Sequence, residues 1–295
     1  MSSTLAPPTA ARAPAPPSES AAPSPLFAAV WDQVIGPKSE PFRPMLEGLA
    51  LDACRAVAAE LRDGERVLDV GCSWGRTTRL FAEVVGPSGH VVGIDCVRSY
   101  IAAAERETLA NTSYLVGDAG AFAYAPASFD VVASVEGVMF FSQAARAFAH
   151  LGRALRPGGR LVLAVPRSES ENVWMAFPKQ VARDHLGLPP AGPTCGPGPF
   201  SLGRSDDLVR TLLEAGFVDV VTRPLDEPFV FGTLEETLEL HLRLGAVGEL
   251  VRLHGLDEAR QATLRRHLAD ALAPYATPAG VSMPGALWLV TATRG

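Results

Sequence analysis

The sequence predicts an α/β fold built on a doubly wound, mostly parallel sheet with helices on both faces. Two observations predict it. Short apolar runs alternate with segments of helical spacing from residue 65 to residue 166, and several of the runs end at glycine or aspartate. Because parallel strands need crossover connections, this alternation is typical of βαβ units, in which helices cover both faces of the sheet.

Five candidate strands occupy this region. Each is rich in apolar residues, and they span 65–71, 90–95, 112–118, 129–135 and 160–166. The segments between them carry apolar residues at helical spacing, which predicts helices over 76–86, 97–108 and 142–155. The last of these helices is expected to end at Pro157–Gly158–Gly159, because proline and glycine both interrupt helical structure.

The flanking regions are expected to complete a single domain over 26–295. Residues 1–25 are almost entirely Ala, Pro, Ser and Thr. Such a segment buries too little apolar surface to offset its ordering entropy, so we expect a disordered tail. Helical spacing predicts N-terminal cap helices within 26–61, and a sixth and a seventh strand are expected at 217–223 and 286–294.

Two insertions interrupt this pattern: an irregular stretch over 167–204, and a second insertion over 228–282 in which two helices are predicted. Long insertions in an α/β domain are more often functional loops or caps than separate cores. We therefore expect them to form a substrate cap or a dimerisation surface. Trp31 and Trp174 are candidate cap residues, because neither belongs to the pattern of the central sheet.

Composition excludes several functions. The chain has 295 residues, 20% of them charged, and a net charge of −6. Binding to nucleic acid or to an anionic membrane needs a basic footprint, so neither partner is expected. The four cysteines include no Cys-x-x-Cys pair. We expect no metal site, and reduced thiols in a cytoplasmic protein.

The chemistry is concentrated where the first three strands end. The first strand runs into a turn that contains Gly71 and Gly75, and glycines there let the backbone approach a ligand closely. The second strand ends at Asp95, where a carboxylate can accept hydrogen bonds from both hydroxyls of a ribose. The third ends at Asp118–Ala119, where a carboxylate can meet the amino edge of adenine. Together these positions predict an adenosine-shaped crevice.

These segments together resemble the class I S-adenosylmethionine-dependent methyltransferases, of the small-molecule type that includes methyltransferase type 11 and UbiE-like enzymes. The five segments that carry the resemblance are VLDVGCSWG, GHVVGID, VGDA, FDVVASVEGVMFF and LRPGGRLVLAVP. It covers about 65–166 in detail and implies a Rossmann-like, seven-stranded sheet. The glycine spacing Gly71-x-x-x-Gly75 departs from the G-x-G-x-x-G of dinucleotide-binding proteins.

The resemblance implies S-adenosylmethionine as cofactor and assigns its contacts residue by residue. The cofactor-binding residues that it implies are Asp69, Gly71, Cys72, Ser73, Gly75, Asp95, Cys96, Asp118, Ala119 and Val135. The loop residues would line the methionine moiety, with Asp69 ordering the loop or reaching the amino group. Asp95 would hold the ribose, and Val135 would lie near the sulfonium. The family usually has a middle glycine where this chain has Ser73, followed by Trp74.

The expected reaction is an in-line methyl transfer to a small, largely apolar metabolite, of the kind found in secondary metabolism. Such a transfer works mainly through proximity and desolvation. Glu136, at the mouth of strand four, and His185, in the first insertion, are the catalytic candidates. The Asn/Asp-Pro-Pro-aromatic element of relatives that methylate bases is absent after strand four.

Two alternative functions and the state of assembly stay open. One alternative is a catalytically silent, methyltransferase-like binding protein, since Ser73 and Trp74 depart from the family pattern. Another is a nucleotide-dependent oxidoreductase, against which the glycine spacing argues. Assembly stays open because a homodimer is compatible with the insertions.

Overall fold

The computed structural model describes residues 29–189 and 196–295. The expected tail, 1–25, lies outside the described residues. The strands are β1 (Arg66–Val70), β2 (His90–Asp95), β3 (Thr112–Val116), β4 (Phe129–Val135), β5 (Leu155–Pro166), β6 (Phe217–Val230), β7 (Ala276–Thr277) and β8 (Gly280–Arg294). Their order in the sheet is β3-β2-β1-β4-β5-β8-β6, and the short β7 pairs with β8.

The first five strands are parallel, and β8 runs antiparallel between β5 and β6. Since β1 pairs with β2 on one side and β4 on the other, the strand order reverses at β1. In open α/β sheets, ligands bind beyond the carboxyl ends of the strands at such a reversal. The predicted α/β sheet with mostly parallel strands is confirmed.

The helices of eight or more residues pack on this sheet or on one another. In the described part of the chain they are α1 (Leu51–Ala58), α2 (Arg76–Val85), α3 (Arg98–Glu105), α4 (Ala144–Ala154), α5 (Val173–His185), α6 (Ser205–Glu214), α7 (Leu234–Arg243), α8 (Gly245–Leu253) and α9 (Glu258–Leu272). None of the helices within the described ranges is long and apolar enough to cross a membrane.

Alternation along the central strands divides the apolar core into two layers. Val67 of β1 packs in one cluster with Phe81 of α2, whereas the next residue, Leu68, packs in the other with Phe148 of α4. Successive side chains of a strand point to opposite faces, so a strand covered on both sides is apolar at nearly every position. This explains why β1 and β4 are recognisable in the sequence as continuous apolar runs.

The N-terminal region departs from the prediction. Within the expected cap helices of 26–61, Arg43–Glu47 and α1 are separate helices, because Ala50 adopts a left-handed conformation with φ 51° between them. Upstream, the chain forms a short π-helical turn at Trp31–Ile35 rather than a regular helix. The break turns the segment before α1 across the carboxyl ends of the strands. There Trp31 and Leu46 pack against an apolar cluster that includes Trp74 and Tyr100.

β6 and β8 are both longer than the strands predicted at 217–223 and 286–294. β6 pairs with β8 from Phe217 to Val230, although the sequence predicts a strand only to residue 223. Pro224 and Pro228 are compatible with β6 because it is an edge strand, where one side needs no ladder hydrogen bonds.

The two insertions pack on each other. α5 lies against α8 and α9. Leu238, Val247 and Leu264 of the second insertion belong to the same apolar cluster as Val67 of the sheet.

Candidate active site

The loop after β1 is shaped by its glycines. Gly71 and Gly75 have φ of 77° and 81°. A Cβ at Gly71 would lie 2.9 Å from the Cα of Gly137, and one at Gly75 would lie 2.6 Å from the Tyr114 hydroxyl. Side chains are therefore excluded at both positions, and the backbone itself forms the floor of the site.

Asp69 connects the end of β1 to the first turn of α2, on the other side of this loop. Its Oδ2 accepts hydrogen bonds from the hydroxyls of Thr77 and Thr78, both at 2.6 Å, in the first turn of α2. Burial raises the pKa of Asp69 to about 6. Its Oδ1 has no partner among the described residues. Asp69 lines neither cavity described below, so its position supports the loop-ordering role rather than a cofactor contact.

Asp95 connects the loop to the second strand. Its Oδ2 accepts a hydrogen bond from the Ser73 amide at 3.0 Å, and its Oδ1 accepts one from the Val97 amide at 2.9 Å. Burial raises the pKa of the Asp95 carboxyl. A carboxylate has about four lone-pair sites, so each oxygen retains acceptor capacity for a ligand hydroxyl.

A first cavity of about 350 Å³ lies at the carboxyl ends of β1 to β4. The predicted site residues that line it are Gly71, Ser73, Asp95, Cys96, Asp118, Ala119 and Glu136. Asp118 follows the end of β3 in a tight turn, in which its Oδ1 accepts a hydrogen bond from the Gly120 amide at 2.8 Å. The three strand ends thus converge on one cavity, as the spacing of these residues predicts.

Sequence reasoning missed the far wall of the first cavity. It consists of residues from the turn after β4 and from α4, among them Phe140, Phe141, Arg146, His150 and Arg153. Helical periodicity alone cannot distinguish a cavity-lining helix from any other helix that covers the sheet.

A second cavity of about 480 Å³ adjoins the first. The two share the residues Trp31, Gly71, Ser73, Tyr100, Glu136 and Phe140. Two further predicted residues, Cys72 and Val135, line the second cavity. Most of its remaining wall is apolar and comes from the N-terminal segment and both insertions, including Leu46, Trp174 and Phe231.

Glu136 lies at the junction of the two cavities. Its backbone has a positive φ of 53°, and its amide donates to the carbonyl of Ala164 at 2.9 Å. Burial, with a smaller contribution from the negative charge of Glu227, raises the pKa of Glu136 to about 7. A carboxyl group that titrates near neutral pH is suited to general acid–base chemistry.

Three of the predicted site residues line neither cavity: Asp69, described above, Gly75 and His185. Gly75 precedes α2 and packs against Tyr114 and Ala104, so its role is to shape the loop. His185 lines neither cavity; its Nδ1 lies 3.1 Å from Nδ1 of His267. The expectation that His185 faces a substrate is therefore corrected by its position.

The reason is the direction of α5. Its N-terminal turn lines the second cavity through Trp174 and Met175. His185 ends the same helix. At a rise of about 1.5 Å per residue, the ten residues from Met175 to His185 place it roughly 15 Å along the axis.

Trp74, which departs from the family pattern, anchors the N-terminal segment. Its Nε1 donates to Oε2 of Glu40 at 2.8 Å, and its ring centroid lies 4.2 Å from that of Tyr100. The Tyr100 hydroxyl is in turn hydrogen-bonded to Ser39. Trp31 packs edge-on against Phe140 with ring centroids 4.9 Å apart. These contacts hold residues 31–47 over the junction of the two cavities.

Known proteins resemble this chain in sequence. A family model described as a methyltransferase domain matches residues 67–159. The aklanonic acid methyltransferase of a Streptomyces species is 34% identical over 166 residues, which cover 52% of this chain and 75% of that protein. The arsenite methyltransferase of Halobacterium salinarum is 36% identical over 190 residues, which cover 62% of this chain and 45% of that protein. The nocamycin O-methyltransferase of Saccharothrix syringae is 34% identical over 176 residues, which cover 54% of this chain and 61% of that protein.

A solved structure resembles the fold. It is phosphoethanolamine N-methyltransferase 2 of Haemonchus contortus in complex with S-adenosyl-L-methionine, with a TM-score of 0.54 and 19% identity, covering 91% of this chain and 60% of that one. The chain thus spans less than two thirds of several of the relatives that it matches. With these matches and the geometry above, the chain belongs to the class I S-adenosylmethionine-dependent methyltransferases, a family of enzymes that use S-adenosylmethionine.

The residues present fit that cofactor. The backbone at Gly71 and Gly137 forms a cradle that a Cβ would fill. Asp95 retains acceptor capacity at the end of β2. Arg76 is the permanently positive side chain among the described residues that line the second cavity, and it suits a carboxylate.

Proposed function

We propose that this protein transfers a methyl group from S-adenosylmethionine to a small, largely apolar metabolite. One observation carries the proposal. The first cavity has the carboxylates of Asp95 and Asp118 at its strand ends, the second is mostly apolar, and the two meet at Gly71, Ser73 and Glu136. A nucleoside in the first cavity would therefore present its reactive end to a molecule held in the second.

The cofactor is proposed to bind across this junction. Asp118 and Ala119 would meet the adenine edge, Asp95 the ribose hydroxyls, and the loop at Gly71 the methionine part, with Arg76 near its carboxylate. S-adenosylmethionine supplies a methyl group on a positively charged sulfur, which needs no further activation. The protein's task is then to align the acceptor and to exclude water, and alignment alone can lower such a barrier by roughly 7–11 kcal/mol.

The apolar character of the acceptor is inferred from the walls of the second cavity. Trp174 packs against Phe229 and Phe231 with ring centroids 4.9 and 6.1 Å apart, and Leu240 and Val247 complete the same side. Large apolar side chains of this kind bury a hydrocarbon surface favourably. The N-terminal segment and the insertions are proposed to act together as the substrate cap.

The relatives suggest two kinds of acceptor. Two are named for nocamycin and aklanonic acid, and a third for arsenite. Cys54 and Cys72 both line the second cavity, but burial raises the pKa of Cys54 to about 12 and also raises that of Cys72. Since the thiolate is the form that binds soft metals and metalloids, these protonated thiols favour an organic acceptor.

Titration calorimetry followed by methyl transfer tests the proposal. We expect the full chain to bind S-adenosylhomocysteine and not NADH, and to transfer radiolabelled methyl groups into hydroxylated apolar ring compounds but not into arsenite. Absence of S-adenosylhomocysteine binding would contradict the cofactor site. Binding without transfer to any ring compound would contradict the acceptor class and support a silent binding protein.

A cytoplasmic location and a homodimer are further parts of the proposal. Cys54, Cys72 and Cys96 are free thiols, which is typical of a reducing compartment. Val218 and Val221, on the edge strand β6, are 43% and 49% exposed and offer an apolar surface to a second copy. Analytical ultracentrifugation of the full chain tests the dimer: a monomer at all concentrations contradicts it.

A further inference from the structure

His241 is a polar residue in the apolar wall of the second cavity. It lies on α7 between Leu240 and Leu244 in the cavity lining, and its ring centroid is 6.0 Å from that of Phe231. Its Nε2 is buried and has no hydrogen-bond partner among the described residues. Leaving a buried donor or acceptor unpaired is costly, so a ligand group that pairs with this nitrogen would gain a favourable hydrogen bond.

The charge state of His241 restricts the ligand group. Burial lowers the pKa of His241 to about 4, so the imidazole is neutral at pH 7 and carries one donor and one acceptor nitrogen. A neutral ring gives little compensation for the desolvation of a carboxylate or a phosphate. It pairs well with a hydroxyl group, which both donates and accepts.

Arg76 and Thr77, two other polar residues of this cavity, lie at the cofactor loop. Arg76 donates to the carbonyl of Glu47, and Thr77 donates to Asp69, so both are engaged at the loop that floors the cofactor site. Glu136 stands at the junction of the two cavities, and no described side chain hydrogen-bonds to its carboxyl group. His241, on an insertion helix, is thus a polar group on the acceptor side.

We propose that His241 selects the acceptor by hydrogen-bonding to its hydroxyl oxygen, so that the substrate class is an uncharged, apolar ring system with a phenolic or enolic hydroxyl. This inference rests on the proposed function. In the step that follows, the acceptor O–H bond breaks, its electron pair stays on oxygen, and the proton passes to the carboxylate of Glu136. The oxygen forms the new bond to the methyl carbon, and the pair of the former carbon–sulfur bond stays on sulfur.

A matched pair of probes tests this role. 2-Naphthol and naphthalene differ only in the hydroxyl group, and both are small enough for a cavity of about 480 Å³. Their dissociation constants are measured on the full chain saturated with S-adenosylhomocysteine. We expect the wild type to bind 2-naphthol about tenfold more tightly than naphthalene, as one buried hydrogen bond provides.

Three variants distinguish recognition from a structural role. His241→Phe is expected to abolish the preference for 2-naphthol while S-adenosylhomocysteine binding and the melting temperature stay at or above the wild-type values. His241→Gln keeps a hydrogen-bonding group and is expected to retain part of the preference. His254→Phe changes an exposed histidine outside both cavities and is expected to change nothing.

The possible outcomes separate this inference from the proposed function. A wild type that binds S-adenosylhomocysteine but shows no preference for 2-naphthol overturns the role of His241 alone. A preference that survives both His241→Phe and His241→Gln also overturns it. If the wild type does not bind S-adenosylhomocysteine, the proposed function itself has failed.

Discussion

Replacing Asp95 with alanine is expected to damage the proposed cofactor site. The carboxylate does two things at once in the structure. It accepts hydrogen bonds from the backbone amides of Ser73 and Val97 at 3.0 and 2.9 Å, which fixes the glycine loop. It also lines the first cavity, where its remaining lone pairs can accept hydrogen bonds from a ligand. Alanine removes both functions, whereas Asp95→Asn retains one acceptor oxygen and the shape of the side chain.

The magnitude follows from the hydrogen bonds that a ligand would lose. Two ribose hydroxyls bound to a charged carboxylate contribute about 1.5 kcal/mol each, or about 3 kcal/mol together. That loss corresponds to a roughly 150-fold rise in the dissociation constant for S-adenosylhomocysteine in Asp95→Ala. Asp95→Asn is expected to fall between this variant and the wild type.

Titration calorimetry measures the effect, and thermal unfolding shows whether each variant is folded. Asp270→Ala is the matched control, because Asp270 is exposed on α9 and lines neither cavity. We expect this control to bind with wild-type affinity. A folded Asp95→Ala variant with wild-type affinity for S-adenosylhomocysteine would refute the assignment of the ribose site.

Four further predictions concern the N-terminal segment, the proton acceptor and the core. Trp74→Phe removes the hydrogen bond to Glu40 and is expected to destabilise the N-terminal segment by about 1 kcal/mol. S-adenosylhomocysteine should then dissociate roughly fivefold faster in stopped-flow fluorescence. An unchanged rate contradicts the proposal that residues 31–47 cover the bound ligand. The pKa of Glu136 is raised to about 7, and the carboxylate is the form that accepts a proton. We therefore expect kcat/KM to rise with pH through about 7, and Glu136→Gln to remove this inflection. The raised pKa also affects stability. The stability that Glu136 contributes is complete below its ordinary pKa of 4.5 and is lost as pH rises through about 7. Unfolding measured from pH 4.5 to 7 should therefore show that Glu136→Gln loses less stability than the wild type. Phe148 is fully buried beneath the sheet, and Phe148→Ala should cost about 3–5 kcal/mol in urea unfolding; a loss below 1 kcal/mol would contradict the packing.

The parallel part of the sheet was predictable because its strands have an unambiguous pattern. β2 and β4 begin and end where the apolar runs predict, at 90–95 and 129–135. Strands buried on both faces are nearly continuous in apolar residues, and the residues at their ends, such as Asp95 and Asp118, mark the site.

The features that sequence reasoning missed depend on tertiary packing. His241 lies on an amphipathic helix far from the cofactor motifs in sequence, and only the folding of the second insertion over the sheet brings it to the cavity. His185 failed as a site residue for the same reason, since the direction of α5 carries it away. The role of Trp74 depends on Glu40, a partner 34 residues earlier in the chain.

A crystal structure of the full chain with S-adenosylhomocysteine tests the central claim most directly. We expect the adenine beside Asp118 and Ala119, the ribose hydroxyls on the Asp95 carboxylate, and the sulfur at the junction of the two cavities beside Glu136. A ligand bound elsewhere, or one whose sulfur points away from the cavity that contains His241, would contradict the account.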